Sequence, residues 1–311
     1  MRCMFNMKKL FALLFILGAT TANAAEKIKV VASIKPLQLV SQAIVADLGQ
    51  VDVLIPPGGS PHHYSLKPSD VKKLYGADLI VWVGPDLEQF LSKSLSRTDA
   101  EKLQLLESDE AAEGGHDDDE HESHEEHAHE GHGHDDHGHH HGDNDPHVWM
   151  DPALMVEAAE KLAKQLSVLH PQHKAKLQEN YQAFAAELLQ TDRAIRQKLL
   201  PYQDKGFVVF HDAFALLVTH YGLKQEAYFT VDPARAPGAK RLHEIQGLIT
   251  KQGVSCVFLE PQFEAAVVKA LVADLPVNVG RLDPLAIDTT AEQGYTGYLQ
   301  QLAGNIENCL K

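Results

Sequence analysis

Long apolar runs are scarce in this 311-residue chain. The longest, at 10–18, is about half of what a membrane-crossing helix needs, and nothing after it approaches that length. Cysteine is nearly as rare, with only Cys3, Cys256 and Cys309. Each stands alone, so the paired spacing of a cysteine zinc site is missing. Basic charge is also short: 28 Lys and Arg face 43 Asp and Glu, for a net charge of −15. That balance gives nucleic-acid binding no electrostatic support. No window reads H-E-x-x-H, because His121, His124, His129 and His243 each precede Glu but lack His at the fourth following position. No G-x-S-x-G nucleophile elbow occurs either. The secreted zinc-hydrolase reading is therefore disfavoured, and an enzyme is not expected.

The short apolar run has its own meaning. It follows Arg2, Lys8 and Lys9 and precedes the small-residue site Ala22-Asn23-Ala24, the layout of a secretory signal peptide spanning 1–24 and cut before Ala25. No Cys stands at the cleavage point, so the mature protein is expected to be exported and soluble without a lipid anchor there. Loss of the signal removes Cys3. The remaining pair, Cys256 and Cys309, then sits in an oxidising compartment and is expected to form a disulfide, worth roughly 4 kcal/mol in the chain-entropy model.

Between 111 and 145 the composition changes abruptly. This stretch has 13 acidic residues, no Lys or Arg, and 11 of the chain's 19 His. It has too little apolar surface to offset chain entropy, so a disordered His/acid-rich loop is predicted. Most of the net charge resides there, and the rest of the chain is nearly balanced.

On either side, strand and helix patterns alternate. Strands are predicted at 27–33, 51–56 and 77–84, with helices at 36–49 and 69–77. After the loop come helices at 152–169 and 172–200. Strands at 206–210, 226–231, 254–260 and 277–283 then alternate with helices at 213–221, 238–253, 265–275 and 295–310. Strand–helix–strand order argues for parallel βαβ units. The helix at 172–200 would extend about 43 Å, long enough to cross between two bodies. The fold class is read as α/β: two α/β lobes with mainly parallel sheets joined by one long rigid helix. The expected division is an N-terminal lobe over 25–171, the linking helix over 172–200 and a C-terminal lobe over 201–311.

Eight histidines lie outside the low-complexity loop: His62, His63, His147, His170, His173, His211, His220 and His243. Three places share a context. "SPHHYS" follows a predicted strand, "DPHVWMDP" is where ordered chain resumes, and "VVFHDAF" ends a strand. Ligands of open α/β sheets sit beyond the carboxyl ends of strands, and neutral imidazole suits Zn²⁺. His170, His173 and His220 fall on helical patterns and read as packed or solvated, and His243 reads as structural.

Across nearly all of the mature chain, "SPHHYSLKPSDVKKL", "ADLIVWVGPDLEQF", the His-rich insertion, "HVWMDP", "FVVFHDAF", "PGAKRLHEI", "CVFLEPQF" and "LDPL" together resemble the ZnuA type of metal-receptor family. Its members are the periplasmic zinc-binding proteins of bacterial zinc ABC transporters. The resemblance implies a periplasmic receptor, working as a monomer, that captures Zn²⁺ between two lobes and delivers it to an inner-membrane ABC permease. It implies His62, His147 and His211 as metal ligands, with His62 preferred to His63 because the family's ligand stands two residues before an aromatic, here Tyr64. Manganese relatives carry a carboxylate where His211 stands, which favours zinc. Asp283 matches an aspartate that ligates metal in those relatives, and is either a fourth ligand or a neighbour of the site. Pro61 replaces a Glu found in some zinc members. His147 differs in kind from the loop histidines, since Val148 and Trp149 can anchor it. The loop is expected to capture or sense zinc more weakly. A periplasmic zinc buffer or chaperone without a transporter is the alternative. Ni²⁺ and Cu²⁺ suit the same donors.

Overall fold

Four parallel strands form the first sheet: β1 (Ile28–Ala32), β2 (Gly49–Val53), β3 (Leu79–Trp82) and β4 (Glu101–Gln104), in the order β2-β1-β3-β4. The second repeats the plan with β5 (Gly206–His211), β6 (Lys224–Thr230), β7 (Cys256–Leu259) and β8 (Asn278–Arg281), ordered β6-β5-β7-β8. The structure is a computed structural model that describes residues 27–106, 145–263 and 266–311. The predicted signal peptide and nearly all of the His/acid-rich stretch lie outside the described residues. Among those described, no helix is long and apolar enough to cross a membrane.

Interior strands read as continuous apolar runs because both of their faces are covered. Every residue of β3 and of β5 is buried, and Val30 of β1 lies in register between Val51 and Leu79. The helices that cover the first sheet include α1 (Lys35–Val45), α2 (Pro68–Tyr75), α3 (Pro85–Leu95) and α4 (Pro152–Leu169). Then α5 (Lys174–Leu199) crosses to the second lobe, which adds α6 (Ala215–Tyr221), α7 (Ala239–Gln252), α8 (Ala266–Val272) and α9 (Gly294–Leu310).

The two-lobe fold with a long connecting helix is therefore as the sequence predicts. Over its 26 residues α5 rises about 39 Å. Its buried residues Leu177, Phe184, Leu188, Thr191, Ile195 and Leu199 recur at helical spacing, and the helix packs against α1, α4 and α9. One apolar cluster runs unbroken through both lobes, from Ile28 and Leu37 through Trp149 and Leu188 to Phe207 and Tyr298. A core shared in this way opposes wide opening of the lobes. Cys256 of β7 and Cys309 of α9 form the expected disulfide.

Two elements escape the pattern reading. The helix α3 is interrupted at Glu88, whose φ of −121° and ψ of 47° are not helical, and β4 buries only Leu103, so neither shows a clean period. The strand predicted at 51–56 also lies earlier, at Gly49–Val53.

The irregularity at Glu88 has a local cause. Its fully buried carboxylate accepts the backbone N–H groups of Val83 (2.8 Å) and Gly84 (3.3 Å), closing the turn from β3 into α3. Gly84 has φ of 149°, and a Cβ there would meet the Leu106 carbonyl at 2.8 Å, so only glycine fits the turn. Burial raises the Glu88 carboxyl to about 7, with the hydrogen bonds from Ser33, Gly84 and Val83 opposing it in part. The folded state thus holds a proton that the unfolded chain releases above about 4.5, and stability falls as pH rises through that interval. Glu88→Gln keeps an accepting oxygen but cannot ionise. The difference between its unfolding free energy and that of the parent is expected to change by about 2–3 kcal/mol from pH 5 to pH 8, read by urea unfolding; equal pH slopes for the two proteins would contradict it.

Candidate metal centre

Three imidazoles meet between the lobes. His62 sits in the turn that follows β2, His147 precedes the 3₁₀ turn Val148–Met150, and His211 is the last residue of β5. Their ring centroids are 5.6 Å (His62 to His147), 5.3 Å (His62 to His211) and 5.0 Å (His147 to His211) apart. One ring nitrogen from each lies within 4.8 Å of the others. Tetrahedral zinc with Zn–N of about 2.0–2.1 Å needs N···N separations of about 3.3–3.4 Å, a closure that small side-chain rotations supply. The space among them, about 10 Å³, is close to the room one water-sized particle needs.

Each ring is held differently. Asp145 Oδ1 accepts both the backbone N–H of His147 (2.9 Å) and its Nδ1–H (2.7 Å). That pairing assigns the proton to Nδ1 and leaves the Nε2 lone pair, buried and without a hydrogen-bond partner, directed at the cavity. Trp149 packs edge-on to His147 at 5.3 Å. Its indole Nε1–H donates to the Pro284 carbonyl (2.7 Å), Tyr298 Oη–H donates to the same carbonyl (3.0 Å), and Tyr295 Oη–H donates to the Trp149 carbonyl (2.7 Å). The segment bearing His147 is thereby bolted to the second lobe. His211 is 3 % exposed, with the Glu260 carboxylate 3.6 Å from its Nδ1.

The electrostatics favour an uncharged His62. Burial first, then the neighbouring His147 and His63, lower His62 to about 4, against an opposing pull from Asp232. Its ring is therefore neutral at physiological pH, the form that coordinates metal. Burial raises both Glu260 and Asp283, and Asp283 adds to the rise at Glu260. The carboxylate of Asp283 accepts from Gln262 Nε2 (2.6 Å) and from the backbone N–H groups of Leu285 (3.0 Å) and Ile287. It organises the loop that carries Pro284, and it does not join the group of mutually close donor atoms, which among the described residues is the three histidines.

His63 points away from the three, its Nε2 3.0 Å from Asp232 Oδ1. His170 and His220 serve packing: His170 Nε2 lies 3.3 Å from Asp78, and His220 bridges Asp151 (3.1 Å) and Asp192 (2.7 Å). Asp145 and Glu260 are the two residues that sequence reasoning missed. Asp145 stands two positions before His147, in "DPHVWMDP", and Glu260 directly follows β7, in "CVFLEPQF", but neither motif by itself gives these carboxylates a part in the site.

The family model for ZnuA, "Zinc-uptake complex component A periplasmic", matches residues 30–309. The chain belongs to this family. It is similar to the high-affinity zinc uptake system protein ZnuA of Haemophilus ducreyi, at 43% identity over 97% of this chain and 99% of the relative. The protein of the same name from Yersinia pestis is 39% identical, over 91% of each chain. A crystal structure of a ZnuA deletion mutant with zinc bound superposes with a TM-score of 0.73 at 26% identity, covering 92% of this chain and 99% of that one. ZnuA-family architecture and the three-histidine cluster thus occur together here. Removing the carboxylate that orients His147 is expected to matter: Asp145→Ala should weaken zinc binding about 10- to 100-fold in calorimetric titration, and unchanged affinity would show that Trp149 packing alone holds the ring.

Proposed function

We propose that the chain is the periplasmic receptor of a high-affinity zinc ABC transporter. It captures one Zn²⁺ between its lobes with His62, His147 and His211 and delivers the ion to an inner-membrane permease. The observation that carries this reading is the convergence of three imidazoles from distant segments on one small buried space, with His62 and His147 in forms suited to coordination. The names of the relatives, zinc-uptake proteins matched over nearly their full length, supply the transport context.

The chemistry of capture follows from the surroundings. A neutral nitrogen donor such as His62 exchanges for water on the ion without first losing a proton, and a buried setting strengthens each bond to the cation. Donors prepositioned by Asp145, Trp149 and the end of β5 spare the ion the cost of ordering the chain. The fourth coordination position falls to a water, an anion or the Glu260 carboxylate, which lines the cavity. One chain contributes all three histidines, so a monomer is a complete receptor. The role is binding and delivery.

Single His→Ala changes at 62, 147 or 211 are expected to weaken zinc binding by roughly 100-fold or more each, while His173→Ala and His243→Ala leave it unchanged. Calorimetry under metal buffering measures this, and unchanged affinity on removing all three would end the reading. Growth rescue of a zinc-starved strain lacking its own receptor separates delivery from mere buffering.

A further inference from the structure

We propose that His63 and Asp232 form a latch across the mouth of the metal cavity that sets how fast the ion leaves. This rests on the receptor reading above. His63 belongs to the first lobe, in the turn after β2, and Asp232 to the second, in the turn after β6; His63 Nε2–H donates to Asp232 Oδ1 at 3.0 Å. A neutral ring in the Nε2–H tautomer suffices, so the contact does not depend on an added charge.

Position is what gives the pair its role. The residues beside it cover the cavity: Ser60, Pro61 and His62 from one turn, Pro233 from the other. His147 and His211 lie deep, at 4 % and 3 % exposure, whereas His62 is only partly buried. The short way out therefore passes the His62 side, between the two turns that His63 and Asp232 fasten together.

Each partner is also braced on its own side. In the first turn, Ser60 Oγ accepts the His62 N–H (3.3 Å) and the Ser60 carbonyl accepts the His63 N–H (3.4 Å). In the second, Asp232 Oδ1 accepts the Ala234 N–H (3.0 Å), Oδ2 pairs with Arg235 Nε (3.1 Å), and the Asp232 N–H donates to Thr230 Oγ1 (3.2 Å). The lobes share a core and α5, so wide opening is opposed, and parting of these two turns is the local movement left for release.

The pair lies at the surface, with side chains 54 % and 23 % exposed, so its strength is the modest one of a solvent-exposed polar contact. Breaking it is expected to speed zinc release about two- to fivefold. The test uses the full chain loaded with zinc and mixed rapidly with excess chelator, comparing the parent, His63→Ala, Asp232→Ser and the double variant. Each single change should accelerate release, and the double variant should be no faster than the faster single, since either removes the same contact. The absorption spectrum of the Co²⁺ form should stay that of the parent, because no ligand is lost. Unchanged rates, multiplying effects in the double variant, or an altered Co²⁺ spectrum in His63→Ala would each overturn the latch. A parent that binds no zinc would instead sink the receptor reading.

Discussion

The bond from the Trp149 indole N–H to the Pro284 carbonyl joins the two halves of the molecule where the chain passes His147. Tyr295 and Tyr298 bond the same two residues through their hydroxyls, and both rings are fully buried. A single bond of this kind contributes only about 0.5–1.5 kcal/mol net, but losing one partner would strand a buried polar group at a cost of about 1–3 kcal/mol. The network is therefore self-consistent or absent. Its consequence is positional: His147 arrives after the first lobe's strands in sequence, yet it is held against the second lobe, where it meets His211.

Preorganisation and release pull in opposite directions, and the fold assigns them to different parts. The shared apolar core and α5 keep the lobes from parting, which holds the donors near their binding positions and spares the ion most of the ordering cost. Short surface turns over the cavity carry the polar contacts that can break cheaply. A receptor built this way can bind tightly through its interior and still exchange its cargo through local movement at the mouth.

Much of the architecture was legible from periodicity. The fully buried β3 and β5 read as apolar runs, and α5 showed its helical stripe from Leu177 to Leu199. The two cysteines left after the predicted signal peptide pointed to the bond between β7 and α9. What was illegible had little periodic signal. The first turn of α3 is broken by a glutamate that closes a backbone loop, and β4 is an edge strand with one buried side chain. For the site, motif resemblance separated His62 from His63, but it said nothing of Asp145 or Glu260, whose parts come from distance rather than from spacing.

The sequence by itself determined the alternation of strands and helices, the length of the linking helix, and which histidines stand at strand ends and which fall in an acidic low-complexity stretch. These are local properties, set by side-chain pattern over a few turns or strands. Tertiary structure alone decided that His62, His147 and His211 share one space, that Asp283 braces a loop beside them, and that His63 turns outward to reach the other lobe. Those outcomes depend on packing between segments far apart in the chain, and no short window of residues encodes a distance across a cleft.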